Sequence, residues 1–232
     1  MRLDDFFQWN VLKKLTGLKE QDFQTQALLR QMEREQREHN FLVTPFEKID
    51  FTIFDIETTG FNPFKGDVTL SIGAVKIQQM EITKEQFHTF IQYEEEIPEV
   101  AKKITGITEE DLKGGVTRSE AWRSFMEFAK STVFVAHHAK HEKQFMRQEV
   151  WREFRQMVQP YVLDTAWLAG KLMGVNDNFA LDHCCNHFEI QIEKRHHALW
   201  DATATAELLL AMIHQLRENK IESIHECYLH LT

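Results

Sequence analysis

Glycine and proline are scarce, nine and four in 232 residues, where average usage would make the two together about 12% of the chain. Too few turn-punctuating residues remain for the many hairpins of an all-β sandwich, so long helices are expected. Cysteine is scarcer still: there are three, two of them adjacent at Cys184 and Cys185. That is no framework of secreted disulfides, and reduced thiols are expected. No apolar stretch approaches the eighteen or so residues needed to cross a bilayer, so no membrane partner is expected. The first residues, Met1-Arg-Leu-Asp-Asp-Phe-Phe, place acids where a secretory signal would carry bases. Cytoplasmic localisation is the expectation. An excess of positive charge is also missing: 27 Lys and Arg against 36 Asp and Glu leave −9 with histidine neutral. What is present is ordinary for a globular chain, 43% hydrophobic and 27% charged, and the length allows one full-sized domain with an appendage.

The charge is unevenly spread. Residues 1–46 hold 7 basic and 7 acidic side chains, so the whole −9 belongs to the remainder. Asp22 to Asn40 lacks Gly and Pro, and Phe23, Leu28, Leu29 and Met32 recur at helical spacing, predicting an amphipathic helix that Thr44-Pro45 ends. The organisation read from this is a helical N-terminal extension over 1–46 and a second unit over 47–232. The extension is either an arm packed on its own domain or a docking arm for a partner protein. Beyond it, Ile49 to Ile56 and Val68 to Ile77 are rich in β-branched and aromatic residues and read as a strand pair around Thr59-Gly60-Phe61-Asn62-Pro63. Phe87 to Gln92, Thr132 to Ala136 and Tyr161 to Leu163 supply three more strands. Helical patterns cover Thr117 to Ser131, Lys140 to Val158, Asp164 to Met173, Ala180 to Phe188 and Ala198 to Leu216. Three strands followed by strands alternating with helices predict an α/β fold, a mixed five-stranded sheet flanked by helices.

Three clusters carry chemistry. Asp55 and Glu57 lie two apart at the end of an apolar strand, so both carboxylates emerge on one face. Two like charges there are costly to bury unless a cation neutralises them, and oxygen ligands favour Mg²⁺ or Mn²⁺ over Zn²⁺. The plainer reading is a solvated pair of acids. His196 precedes Asp201 by five residues at the start of a long helix; a neutral imidazole there can accept a proton from water at physiological pH, and the acid can ligate the same cation. The plainer reading is an acid favoured by the helix dipole. In Ala136-His137-His138-Ala139-Lys140-His141-Glu142, Glu142 begins the inward stripe that continues through Met146 and Val150. Lys143, Arg147, Arg152 and Arg155 follow it, either as a solvated basic face or as phosphate contacts beside an acidic pocket.

In combination these residues resemble the DEDDh 3′→5′ exonucleases, a group that includes the proofreading epsilon subunit of bacterial DNA polymerase III. Phe54-Asp55-Ile56-Glu57-Thr58-Thr59-Gly60-Phe61 is similar to the first exonuclease motif, Ile104 through Leu112 to the connecting segment, Asp164-Thr165-Ala166-Trp167-Leu168-Ala169 to the Asp-Thr motif, and His196 through Asp201 to the third motif. The resemblance covers residues 50–215. It implies a ribonuclease H-like sheet, two divalent metal ions (Mg²⁺ or Mn²⁺) and hydrolysis of phosphodiester bonds at the 3′ end of a single-stranded nucleic acid, DNA favoured over RNA. By the same resemblance Asp55 bridges the two metals, Glu57 and Asp201 complete one of them, Glu142 assists the other, and His196 is the general base. Thr58, Thr59, Gly60 and Phe61 would hold the terminal nucleotide, with His138 and Lys143 as further substrate contacts.

The second motif departs from the family pattern. Where the family reads Asn-Ala-x-Phe-Asp, this chain has His138-Ala139-Lys140-His141-Glu142. One extra methylene shifts the carboxylate by about an ångström, which matters where ligands are held to roughly 0.5 Å. The alternative is therefore a catalytically weakened exonuclease fold acting as a binding or scaffold module. A zinc site at His183, Cys184 and His187, with His137, His138 and His141, is a third reading, without paired Cys-x-x-Cys spacing to support it. Because −9 repels nucleic acid at long range, weak and distributive action is expected unless a partner tethers the chain.

Overall fold

The computed structural model describes residues 20–38, 40–174 and 179–230. Five strands form one mixed sheet in the order β3-β2-β1-β4-β5: β1 (Phe51–Thr58), β2 (Thr69–Gln78), β3 (Glu81–Phe90), β4 (Val133–Ala136) and β5 (Val162–Asp164). The pairs β1/β2 and β2/β3 are antiparallel, while β1/β4 and β4/β5 are parallel. The mixed sheet read from the sequence is the one observed.

The strand period of two explains the two cores. Phe51 and Ile53 of β1 point to one face, where they join Leu208, Leu209 and Met212 of the long helix Ala198–Glu218. Phe54 and Ile56 point to the other and pack with Trp122, Phe125, Phe145 and Met146, which lie on helices Arg118–Phe128 and Lys140–Phe154. In chain order the helices are α1 (Glu20–Glu38), α2 (Glu99–Thr105), α3 (Glu109–Lys113), α4 (Arg118–Phe128), α5 (Lys140–Phe154), α6 (Thr165–Leu172), α7 (Leu181–His187), α8 (Ala198–Glu218) and α9 (Ile224–His230).

Helix α1 lies against α4 and α5. Leu29 and Met32 enter the second core, the Arg123 guanidinium reaches Thr25 Oγ1 at 2.9 Å and Asp22 at 3.2 Å, and the Gln26 amide donates to the Phe154 carbonyl. Just beyond it, Phe46 joins the first core, and its amide donates to Glu222 O at 2.8 Å. Residues 1–19, the rest of the N-terminal extension, lie outside the described residues.

Two boundaries differ most from the sequence reading. Strand β3 begins at Glu81 rather than Phe87, because a two-residue turn at Gln79 and Met80, with φ of 50° and 64°, folds it straight back onto β2. That turn carries neither the Gly nor the Asn that signals one, and β3 is a polar edge strand with little apolar alternation. Helix α5 ends at Phe154 rather than Val158, where Arg155 takes a left-handed φ of 54° and its amide caps Trp151 O at 3.0 Å.

Gly73 has the largest consequence for the site. It pairs with Asp55 across β1/β2, and a Cβ at this position would lie 2.2 Å from the backbone of Ala198 and Leu199. Only glycine lets the first turn of α8 settle onto the sheet beside Asp55. Gly73→Ala should therefore cost about 1–3 kcal/mol of stability through overpacking and lift the turn bearing Asp201 away from Asp55. Urea unfolding measures the first effect; an unchanged midpoint would show that α8 is not seated as described.

Candidate active site

Ligands bind open α/β sheets beyond the carboxyl ends of the strands, and here the ends of β1, β4 and β5 meet. Asp55 and Glu57 continue the odd-numbered face of β1 past Phe51 and Ile53, toward α8. Asp201, on the first turn of α8, comes down over them. The three acids each place a carboxylate oxygen within 4.8 Å of the other two. They share a cleft of about 480 Å³ with Thr58, Thr59, Gly60, Phe61, His138, Glu142 and His196. Ten of the eleven residues singled out from the sequence are thus brought together.

Lys143 is the exception. It does not line the cleft, since it falls on the outward side of α5 while Glu142 faces in.

The acids are deeply placed. Glu57, Glu142 and Asp201 are 7%, 4% and 3% exposed, whereas Asp55 keeps a partly open face. Burial, then the Asp201 charge, pushes Glu57 up to about 8, and burial pushes Asp201 up to about 6, against the pull of Arg195. Burial and the neighbouring Glu57, Asp201 and Glu142 raise Asp55 well above the usual carboxylate range. Glu142 is raised in the same direction by burial, with Asp164 and Glu57 adding to it. Asp201 Oδ1 and Glu142 Oε2 are buried without a hydrogen-bond partner. Unpartnered buried oxygens in a cluster of repelling carboxylates are the donor set for a hard divalent cation, so the residues fit such an ion. Glu142 stands outside the tight trio, though on the same cleft wall.

Sequence reasoning missed Arg195. Its guanidinium bonds Asp201 Oδ2 and grips Asp182 through Nε at 2.9 and 3.0 Å. It supplies the cluster with a counter-charge and anchors the start of α8 to α7. The Asp201 carboxylate also accepts the His196 amide at 3.0 Å, which holds His196 in a left-handed conformation, φ 57°. Burial, then Arg195, lowers the His196 pKa, so the ring is neutral and able to accept a proton at physiological pH.

Asp164 is a second missed device, since the Asp-Thr motif did not disclose what its carboxylate does. It accepts the amides of His138 and Ala139, each at 3.1 Å, and caps α6 through Ala166 N at 2.9 Å. This clasp fixes the turn that presents Glu142. Next to it, the His137 Nε2–H donates to Phe179 O at 2.8 Å, and Nδ1 lies 2.9 Å from the Thr165 hydroxyl oxygen. Burial moves the His137 pKa down to about 4.

The zinc reading finds no support in the geometry. Cys184 is fully buried in the first core, and His183 stacks on Phe179 with centroids 4.3 Å apart. Among the described residues, the group of three or more potential ligands is the Asp55, Glu57 and Asp201 trio.

Residues 52–209, more than half of the sequence, match the exonuclease family model. The chain belongs to the exonuclease family. Its fold and acidic cleft are those of a hydrolytic nuclease, in agreement with the DEDDh resemblance. A PolC-type DNA polymerase III from Caldanaerobacter subterraneus subsp. tengcongensis is 36% identical over 177 residues, which are 76% of this chain and 12% of that protein. A DNA polymerase III subunit epsilon-like protein from Rhodobacter capsulatus is 34% identical over 177 residues, 75% of this chain and 25% of that protein. This exonuclease thus spans an eighth to a quarter of the length of these relatives. Exonuclease X in complex with 5′ overhanging duplex DNA superposes with a TM-score of 0.58 at 19% identity, covering 71% of this chain and 92% of the other; that likeness establishes the fold. Among the described residues, no helix is long and apolar enough to cross a membrane.

Proposed function

We propose that this exonuclease removes nucleotides from the 3′ end of single-stranded nucleic acid, DNA in preference to RNA, with residues 47–232 as the working unit. The observation that carries the proposal is the trio of carboxylates within 4.8 Å of one another, with an unpartnered Asp201 oxygen and a neutral His196 on the same cleft. Asp55, Glu57 and Asp201 would hold one divalent cation, Mg²⁺ or Mn²⁺, and Asp55 with Glu142 a second. Such ions, when bound, acidify water and stabilise the charge of an in-line displacement at phosphorus.

The chain's own groups do the rest. His196 takes the proton of the attacking water as the water oxygen bonds to phosphorus; the bond from phosphorus to the preceding 3′ oxygen breaks, that oxygen takes a proton from solvent to leave the shortened strand with a 3′-hydroxyl, and a 5′-mononucleotide is released. Phe61 is 79% exposed at the cleft mouth and offers a face to the terminal base. His141, 5.8 Å from the Phe61 ring, backs it. Thr58 and Thr59 brace that turn, through Thr58 Oγ1 to Gly60 O at 2.6 Å and Val68 N to Thr59 Oγ1 at 3.0 Å. The names of the polymerase relatives support DNA as the substrate and a DNA polymerase as the protein partner; residues 1–46 are the contact we propose, through the side of α1 turned away from α4 and α5.

The weakened-fold alternative keeps one observation in its favour, the position of Glu142 outside the trio. A time course on 5′-labelled single-stranded DNA and RNA with Mg²⁺, Mn²⁺ or EDTA separates the readings. A metal-dependent ladder shortening from the 3′ end, faster on DNA, is the expected result. Intact strands in both metals, with folded protein, would leave a binding module.

A further inference from the structure

Helix α5 sorts its charges to opposite sides. Its three acids turn inward: Glu142 lines the cleft, Glu149 is wholly buried, and Glu153 is half-buried. Glu149 is matched there by Thr69 N at 2.8 Å, Arg118 at 2.8 Å and the Trp122 indole. Lys140, Lys143, Arg147, Trp151 and Arg155 follow one another at steps of three or four residues along the other side, a single stripe on a helix. None of these four cations forms an ion pair with a carboxylate of the described residues. The chain as a whole carries −9, yet this outward stripe presents four cations and no acid, an arrangement open to a polyanion.

Two features indicate which polyanion. Trp151 is 40% exposed, and the Arg155 guanidinium lies 4.4 Å from its ring centroid, a planar aromatic platform with a cation beside it. Cations interleaved with an exposed aromatic suit a nucleic-acid strand better than an acidic peptide, because phosphates and base faces alternate in the same way. The helix that bears the stripe also starts at the cleft, since His141 and Glu142 on the first turn of α5 line it. From Lys143 to Arg155 the helix rises about 18 Å, the span of roughly five nucleotides at about 3.4 Å each.

We propose that this outward face of α5 is a strand-tracking surface that binds the nucleic acid on the 5′ side of the nucleotide in the cleft, phosphates on Lys143, Arg147 and Arg155 and a base on Trp151. The assignment rests on the cleft being the exonuclease site. It makes affinity depend on strand length while leaving sequence unread, because nothing in the stripe addresses base edges.

The test is equilibrium binding of fluorescent oligothymidylates of about sixteen and about four nucleotides to the full chain, to Arg147→Glu/Arg155→Glu and to Trp151→Ala, with hydrolysis by the parent followed in parallel. The parent should bind the longer strand about tenfold more tightly or better, the double variant should lose that advantage, and Trp151→Ala should lose part of it. Loss of two phosphate contacts should also flatten the plot of log affinity against log salt by about 1.4. Equal affinity of the parent for both lengths, or a double variant of native circular dichroism that binds the longer strand as the parent does, overturns the track. A parent that shows the length advantage without hydrolysing either strand retains the track and removes the exonuclease reading of the cleft.

Discussion

Asp55→Asn should lower hydrolysis by about a thousandfold or more while leaving the fold intact. Asp55 is the one acid of the trio that keeps an open face to the cleft, and it lies between Glu57 on its own strand and Asp201 descending from α8. A ligand shared in that position contributes several kcal/mol of charge stabilisation, and each 1.36 kcal/mol is about tenfold in rate. The same substitution replaces a repelled, partly buried carboxylate by a neutral isostere, so the metal-free protein should become more stable. A merely damaged variant would lose activity and stability together. Activity within about tenfold of the parent, in a preparation free of contaminating nuclease, would remove Asp55 from the reaction.

The second large effect is on stability. In metal-free buffer the melting temperature should fall as pH rises from about 6.5 to 8. Glu57 is raised from 4.5 to about 8 in the folded chain, and Asp55 and Glu142 are raised in the same direction. Below the ordinary carboxylate range these groups are protonated in both states and cost nothing. Above it the unfolded chain ionises first, so folding is penalised progressively until the folded groups ionise too. Buried histidines act oppositely at lower pH, since His137 is held down to about 4 and must lose stability on protonation; this is why the acid effect is read above about 6.5, where histidine is largely neutral in both states. Glu57 alone should account for about 2 kcal/mol over that window, or roughly 4–8 °C for a chain of this size. Mg²⁺ or Mn²⁺ should restore most of the loss at pH 8 and do less near pH 6.5, because cation and proton compete for the same oxygens. Differential scanning fluorimetry in EDTA and in either metal measures both arms. A melting temperature flat across the window in EDTA would contradict the buried cluster.

What the sequence determined by itself was local. Alternation of apolar and acidic residues in Phe51-Thr-Ile-Phe-Asp-Ile-Glu placed Asp55 and Glu57 on one face before any neighbour was known, because the side-chain direction of a strand has a strict period. Helical spacing turned Glu142 inward for the same kind of reason. Motif order then brought Asp201 and His196 into one cleft with them. The tertiary structure decided what depends on partners distant in the chain. Arg195 becomes the counter-charge of the cluster only because α7 delivers Asp182 beside Asp201. Gly73 matters only because α8 descends onto β2 opposite Asp55. The placing of Glu142 outside the trio depends on how Asp164 clasps the turn before α5, and the acid-free outer face of α5 exists because Glu149 finds Arg118, Trp122 and Thr69 within the core. Periodicity acts through bonds a few residues apart and is written in the sequence; charge pairing and close backbone approach act through space, and the fold has to form before they exist.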